Sequence, residues 1–354
     1  VEAWELLQRA SFASQEADEL VEAGDPDAAG DRLDVADSLL AAAATLEPGW
    51  VRPVTERGWL SYKRSRMFGF DRAVADERIA EGLAFAGGSL QAAPRDASAL
   101  ELRGTLRYWR YLLNLGGGPE AAENLRDQAE ADLRAAVEID GQRASAWSSL
   151  SHLLINKGDP SEGKLAAMRS YERDPYLRNA NLTVWRLFAT SLNLEDAIEA
   201  RKWCDEGRRR FPDEYRFREC ELMHMNMRGV SPDVDVAWEA YDGMIETSPV
   251  ERADFLRQKG LMWVAMALAK TSLQDSSRAV LDRTRTTPDI DPVRELAYYE
   301  AVVRSWLGEM DEAIRLFGVY LAANPGQIEV FADDDSYWLE ELRKDPRYAS
   351  LVAY

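Results

Sequence analysis

Histidine and cysteine are scarce, with two of each in 354 residues. His152 and His224 stand far apart, and no H-E-x-x-H pattern is present. Cys204 and Cys220 have neither the spacing of a zinc or cluster site nor the number of a disulfide scaffold. No metal and no cofactor are therefore expected. The two cysteines read first as small buried hydrophobes, and because they fall on consecutive helices a bond between them stays open in an oxidising compartment. Positive charge is also in deficit: 43 Lys and Arg against 62 Asp and Glu leave a net charge of −19. That balance argues against a nucleic-acid partner or an anionic lipid surface, both of which need a basic footprint, and it keeps a long surface soluble. Long apolar runs are missing as well. The longest, 261–269, is too short to cross a bilayer, so no transmembrane segment is expected. No G-x-S-x-G elbow, no G-x-x-x-x-G-K-[ST] loop and no kinase motif occurs. The chain does not read as an enzyme.

Three local patterns invite chemistry and are better explained without it. Gly116-Gly117-Gly118-Pro119 opens a helix and suits a phosphate, but neither a following Lys nor an upstream strand accompanies it. The run Asp333-Asp334-Asp335 suggests calcium, yet an EF-hand needs Gly and Glu where Trp338 and Lys344 stand; helix N-capping by Asp335 or Ser336 fits better. Asn181-Leu182-Thr183 is a glycosylation triplet inside a predicted helix, where occupancy is not expected. A basic segment, Arg201, Lys202, Arg208, Arg209, Arg210, Arg216 and Arg218, reads either as a patch for an acidic peptide or as a solvated face with cations at a helix C-terminus.

Regular punctuation is what the chain does have. Stops fall at Pro48, Pro94, Gly141, Pro175, Pro212, Pro249, Pro288 and Pro325, with gaps of 46, 47, 34, 37, 37, 39 and 37 residues. Two apolar-periodic helices with a short break fit between successive stops. In the fourth unit Trp147, Leu150, Ser151 and Leu154 recur at helical spacing, Lys157-Gly158-Asp159-Pro160 makes the turn, and Ala167, Ser170 and Tyr171 carry the second helix to Pro175. Arg57-Gly58-Trp59-Leu60-Ser61-Tyr62-Lys63-Arg64 and Arg103-Gly104-Thr105-Leu106-Arg107-Tyr108-Trp109-Arg110 share R-G-x-L-x-Y-x-R. The period predicts an all-α fold: a right-handed α-solenoid of about eight helix-turn-helix repeats. One domain, 1–354, is expected, with repeats near 1–48, 49–94, 95–141, 142–175, 176–212, 213–249, 250–288 and 289–325 and a cap, 326–354, made of a capping helix and a short final helix.

The pattern of Trp, Leu and a small residue before a later small residue and a terminal Pro resembles the tetratricopeptide repeat. The stretches Val1-Glu2-Ala3-Trp4-Glu5-Leu6, Arg103-Gly104-Thr105-Leu106-Arg107-Tyr108-Trp109, Trp203-Cys204-Asp205-Glu206-Gly207-Arg208-Arg209-Arg210-Phe211-Pro212 and Asp345-Pro346-Arg347-Tyr348 further resemble the C-terminal tetratricopeptide region of bacterial multidomain signalling proteins such as serine/threonine protein kinases. That resemblance implies a sensor or scaffold region apart from its catalytic domain, in either a cytoplasmic or an extracytoplasmic setting. No initiator Met precedes Val1, so a processed chain or a piece of a longer one is expected.

In superhelical repeats the first helices line the concave side. With Gly58, Gly104 and Ser151 taken as equivalent small positions, Trp59, Tyr62, Lys63, Thr105, Tyr108, Trp109, His152 and Asn156 are the expected partner-binding residues. Aromatics beside polar groups suit peptide recognition, although Tyr62, Tyr108 and Trp109 could equally pack between repeats. The expected function is a non-catalytic scaffold or sensor for a protein or peptide. The alternative is a structural protein that self-associates head to tail into filaments.

Overall fold

The structure, a computed structural model, describes residues 1–67, 71–115, 117–285 and 287–353. These residues are all-α, with no strand among them. They form two compact units, 1–178 and 179–354. The first contains α1 (Glu2–Glu22), α2 (Pro26–Leu46), α3 (Arg52–Met67), α4 (Arg72–Ala92), α5 (Ala97–Leu112), α6 (Pro119–Ile139), α7 (Ala144–Asn156) and α8 (Pro160–Arg173). The second contains α9 (Ala180–Asn193), α10 (Ala197–Arg210), α11 (Arg216–Met225), α12 (Val234–Glu246), α13 (Ala253–Lys270), α14 (Gln274–Leu281), α15 (Glu295–Trp306) and α16 (Met310–Ala323). Three short helices close it: α17 (Ile328–Ala332), α18 (Glu340–Arg343) and α19 (Pro346–Leu351). Consecutive helices pair as hairpins, and within each unit neighbouring hairpins stack.

The punctuation acts as the backbone rules require. The residue before a proline is pushed out of the α region, and α2, α4, α8, α10 and α16 each stop two residues short of Pro48, Pro94, Pro175, Pro212 and Pro325. The second helices α2, α4, α8, α10 and α12 begin on aspartate caps. Asp25 accepts from the Ala28 amide at 3.0 Å, Asp159 from Glu162 at 2.9 Å and Asp196 from Glu199 at 3.1 Å. Each cap contributes about 1 kcal/mol.

One turn recurs in both units. A residue in the left-handed region closes the first helix at Gly24, Asn114 and Gly158 in the first unit, and at Glu195, Ser272 and Gly308 in the second. The following amide then bonds back to a carbonyl five residues earlier, as in Asp25 to Leu20 (2.9 Å), Leu115 to Arg110 (3.1 Å) and Leu273 to Leu268 (3.0 Å). Glycine is required elsewhere for contact. A Cβ on Gly58 would sit 2.4 Å from Leu102 Cδ2, and one on Gly82 would sit 3.2 Å from the Gly58 carbonyl, so α3 and α4 meet backbone to backbone.

One open point is answered and one expectation is corrected. Cys204 and Cys220 are joined as a disulfide, with Cα atoms 5.7 Å apart, linking α10 to α11; both are fully buried. The C-terminal cap is built of short helices, and the side-chain N-cap expected within it is not formed. Residues 333–336 are irregular and Tyr337–Leu339 form a 3-10 turn that leads into α18, and neither Asp335 nor Ser336 caps a helix with its side chain. Asp334 shapes the turn instead, accepting from the Ser336 amide at 2.8 Å and pairing with Arg343 at 3.2 Å.

Candidate binding face

The common turn supplies a register for the first helices. Counting back from the left-handed residue, Tyr108 lies six before Asn114 and His152 six before Gly158, while Asn156 lies two before Gly158. These positions share one helix face. In the second unit the same face carries Trp263 and Lys270, nine and two before Ser272, and Tyr299 and Trp306, nine and two before Gly308.

In the first unit the face divides into two groups. Trp59 and Tyr62 meet edge to face at 5.7 Å and, with Trp109, pack half-buried on Ile79, Ala86, Leu102 and Leu106. The exposed Arg66 lies over the Tyr62 ring at 5.8 Å and over Trp109 at 5.5 Å, and it donates to the Tyr62 hydroxyl at 3.2 Å. The second group joins α5 to α7. Tyr108 donates to the His152 carbonyl at 3.2 Å, accepts from Asn156 Nδ2 at 2.5 Å and meets the His152 ring edge to face at 5.4 Å.

Not every expected residue is open to a partner. Tyr108 is 4% exposed and Thr105 7%, so both form the floor, with Tyr108 in the interior cluster of Leu100, Leu133 and Leu150. The Thr105 hydroxyl and the Trp109 indole N–H are buried without a hydrogen-bond partner among the described residues. Lys63 is committed to α1, donating to the Ser14 carbonyl (3.1 Å) and hydroxyl (2.6 Å) and pairing with Asp18 at 2.7 Å. Asp18 also pairs with Arg178, which reaches Glu22 at 2.7 Å. Asn156 is exposed; Trp59, Tyr62, Trp109 and His152 are half-buried.

In the second unit the equivalent face is covered by the chain itself. Trp338 stands edge-on to Trp263 at 5.7 Å and stacks on Trp306 at 6.0 Å, and Tyr337 lies 5.3 Å from Trp306. The Tyr337 amide donates to Glu195 Oε1 at 2.9 Å. Arg228 pairs with Glu195 and Glu340, both at 3.1 Å, and lies over the Tyr337 ring at 5.1 Å. The segment thus spans the α9–α10 turn, the α11–α12 turn, α13 and α15. Beneath it, Lys259 binds Glu219 at 2.9 Å and Glu295 at 3.2 Å. Burial pulls the Lys259 ammonium down, but Glu219, Tyr299 and Glu295 outweigh it and hold it well above its ordinary value. Lys270 donates to the Met227 and Val230 carbonyls at 2.7 and 2.9 Å, and burial lowers it to about 8.

Sequence reasoning missed Arg66 and this entire second face. The signal that finds them is distance from the turn rather than likeness to R-G-x-L-x-Y. The other candidates resolve locally. Gly116 lies outside the described residues. Asn181 donates to Glu214 at 3.2 Å. The basic segment is answered by its own carboxylates: Arg201 by Asp205 at 2.9 Å, Lys202 by Glu199 at 3.1 Å, Arg209 by Glu206 at 2.7 Å, and Arg208 by Glu221. His224 lies 3.0 Å from the Ala197 carbonyl, and burial lowers its pKa. Among the described residues no three His, Cys, Asp or Glu side chains group as a metal site, and no helix is long and apolar enough to cross a membrane.

Hairpins, turn and face together define an all-α, tetratricopeptide-like repeat protein. No family model matches the sequence, and no curated protein matches it. Solved structures that resemble it include a thermophilic tetratricopeptide protein of Thermus thermophilus, at 12% identity over 61% of this chain and 98% of that one, with a TM-score of 0.43. A tetratricopeptide repeat protein of Parabacteroides merdae is similar at 13% identity over 98% and 99% of the two chains, with a TM-score of 0.35. Human IFIT1, solved as a dimer with m7Gppp-AAAA, is similar at 11% identity over 95% and 75%, with a TM-score of 0.42. At this level of likeness, what those proteins bind does not carry over to this chain.

Proposed function

We propose that the chain is a non-catalytic interaction module that takes an extended peptide on the first-helix face of its first unit. The observation that carries this reading is the occupied face of the second unit, where a segment of the chain, 333–340, sets Trp338 against both Trp263 and Trp306, lays Tyr337 on Trp306 and anchors its backbone on Glu195. The corresponding face of the first unit offers half-buried rings, a cation over them at Arg66, and an exposed amide at Asn156. Aromatic anchors flanked by donors are the usual centre of a peptide site. The contact residues are Trp59, Tyr62, Trp109, His152 and Asn156, with Thr105 and Tyr108 as their floor. The eight-repeat arrangement as one array, and its place beside a signalling domain of a longer bacterial protein, belong to the same proposal.

Self-assembly is the second reading. Trp4 and Phe12 on α1 are 57% and 63% exposed, an unusual cost for aromatics on a terminal helix.

A displayed peptide library panned on the full chain tests the first reading. Selected peptides are expected to bind about tenfold more weakly to Trp109→Ala and to Asn156→Ala. Asn156→Ala also removes its hydrogen bond to the Tyr108 hydroxyl, so a melting temperature lowered by no more than a few degrees accompanies the loss of binding. Peptides whose affinity ignores both substitutions would remove the face from the proposal. Concentration-dependent polymers in light scattering, abolished by Trp4→Glu with Phe12→Glu, would favour assembly.

A further inference from the structure

The second unit contains a cavity of about 370 Å³ between α12, α13 and the chain that follows α14. Arg257 from α13 and Arg283 and Arg285 from the chain after α14 line it. In a protein of net charge −19, most cations in the described residues meet a carboxylate. These differ. Arg257 approaches Asp254 only at 3.9 Å, and that carboxylate is itself largely exposed. No ion pair or hydrogen bond engages the guanidinium group of Arg283 or Arg285 among the described residues. Three guanidinium groups therefore share one cavity with a single loosely held counter-charge.

The cavity has a built wall. Gln258 is 8% exposed, and its Oε1 accepts from the Arg285 amide at 2.8 Å. That bond fixes the orientation of the carboxamide and leaves its NH2 group to act as a donor. The bond also ties the chain after α14 to α13. Further along, both carboxylate oxygens of the buried Asp291 are spent on backbone amides, Glu295 at 2.9 Å and Leu296 at 2.8 Å, which holds Ile290 in the cavity lining. Opposite, the Tyr241 ring is seated against Gly260, where a Cβ would lie 2.7 Å from it. The lining thus combines three guanidinium groups and a carboxamide with the apolar surfaces of Tyr241, Leu261 and Ile290.

We propose that this cavity binds a phosphomonoester, with the dianionic phosphoryl group on Arg257, Arg283, Arg285 and the Gln258 amide, and a small apolar or aromatic body against Tyr241 and Ile290. The guanidinium fork matches phosphoryl oxygens two at a time. Three cations less one carboxylate leave an excess of two positive charges, the charge of a phosphomonoester near neutral pH. A monocarboxylate would leave one uncompensated. The apolar wall distinguishes an ester from the free ion. This inference is independent of the peptide face, which lies on other helices.

Calorimetric titration of the full chain tests it, with phenyl phosphate, inorganic phosphate, benzoate and a tyrosine-phosphorylated peptide as probes. Phenyl phosphate is expected to bind at least about tenfold more tightly than benzoate or inorganic phosphate. Arg283→Ala and Arg285→Ala should each weaken it about tenfold, steeply so as salt rises. Both positions are exposed, so neither change should lower the melting temperature. A peptide that binds more tightly than phenyl phosphate points to a phosphorylated protein as the source, and a weaker one to a small metabolite. Absence of phenyl phosphate binding at millimolar concentration, or binding unchanged by the double substitution, overturns the proposal.

Discussion

The two units solve the same problem on the same helix face in opposite ways. In the first, the face ends in half-buried aromatics, an exposed Asn156 and a guanidinium lying over rings. In the second, Tyr337 and Trp338 fill it, and the core beneath runs continuously from Met262 and Trp263 through Phe317 to Leu339 and Leu342. The first unit instead buries many alanines, such as Ala10, Ala13, Ala29 and Ala36, which let helices approach closely but fill little volume. The same turn and the same spacing thus support an open face and a closed one. What decides between them is whether the chain brings its own aromatic segment back.

The largest effects should come from the buried charges at one shared position. Glu101 lies thirteen residues before Asn114, Lys259 thirteen before Ser272 and Glu295 thirteen before Gly308. In the second unit Lys259 pairs with Glu295 and also with Glu219. In the first, Glu101 is 1% exposed and is answered by Arg143 at 2.6 Å. Removing one partner of such a pair strands the other, at about 3–5 kcal/mol. Lys259→Met is expected to destabilise the second unit by that order and Arg143→Ala the first, as read by hydrogen exchange. The pH dependence should separate them. Burial raises the Glu101 carboxyl despite Arg143, so the folded state favours its protonated form and stability falls as pH rises from about 4.5 toward the raised value. The Arg143→Ala deficit should therefore be small in acid and grow toward neutrality. Lys259 is raised, so its contribution is complete below about 10.5 and is lost only above that. The Lys259→Met deficit should be flat on the alkaline side of neutrality until that point.

Covalent closure is the next difference. Both cysteines of the chain lie in the second unit, and the bond closes a loop of sequence separation 16. A loop of that size is worth about 3 kcal/mol of unfolded-state entropy. Reduction, or Cys204→Ala with Cys220→Ala, should speed exchange in α10 and α11 and leave α1–α8 unchanged. Equal acceleration in both units would mean that the contrast is not local.

The sequence made the hairpins legible because each boundary is marked by chemistry that acts locally. Proline stops a helix, aspartate starts one, and glycine turns the chain. The face was half legible. Aligning small residues put Gly104 ten and Ser151 seven before their turns, a difference of about one helical turn, so His152 and Asn156 fell on the right side of α7. The same alignment treated Lys63 as free and left Tyr108 open between contact and packing, whereas Asp18 holds one and Asn156 covers the other. Those partners are 45 and 48 residues away, and no local pattern reports them. The returning segment was hidden for a related reason. Tyr337-Trp338 reads as one turn of an amphipathic cap, and only the stacking of Trp263, Trp306 and Trp338 shows what it covers.

The smallest effect tests whether the closed face is held partly from its turns. Ser272 and Glu195 both occupy the left-handed region, at φ of 63° and 54°. A side chain there costs about 1–2 kcal/mol, offset in a glycine by about 0.5–1 kcal/mol of extra unfolded-state entropy. Ser272 is exposed, so Ser272→Gly should stabilise the second unit by about 0.5–1 kcal/mol. Glu195→Gly removes the same strain but also the acceptor for the Tyr337 amide and the partner of Arg228. Its net effect should be close to zero or negative, with faster exchange at the Tyr337 and Trp338 amides alone. Thermal unfolding with residue-level exchange distinguishes the two. A gain at Glu195→Gly matching that at Ser272→Gly would mean that the left-handed glutamate does nothing to hold the returning segment, leaving its aromatic contacts as the sole reason the second face is closed.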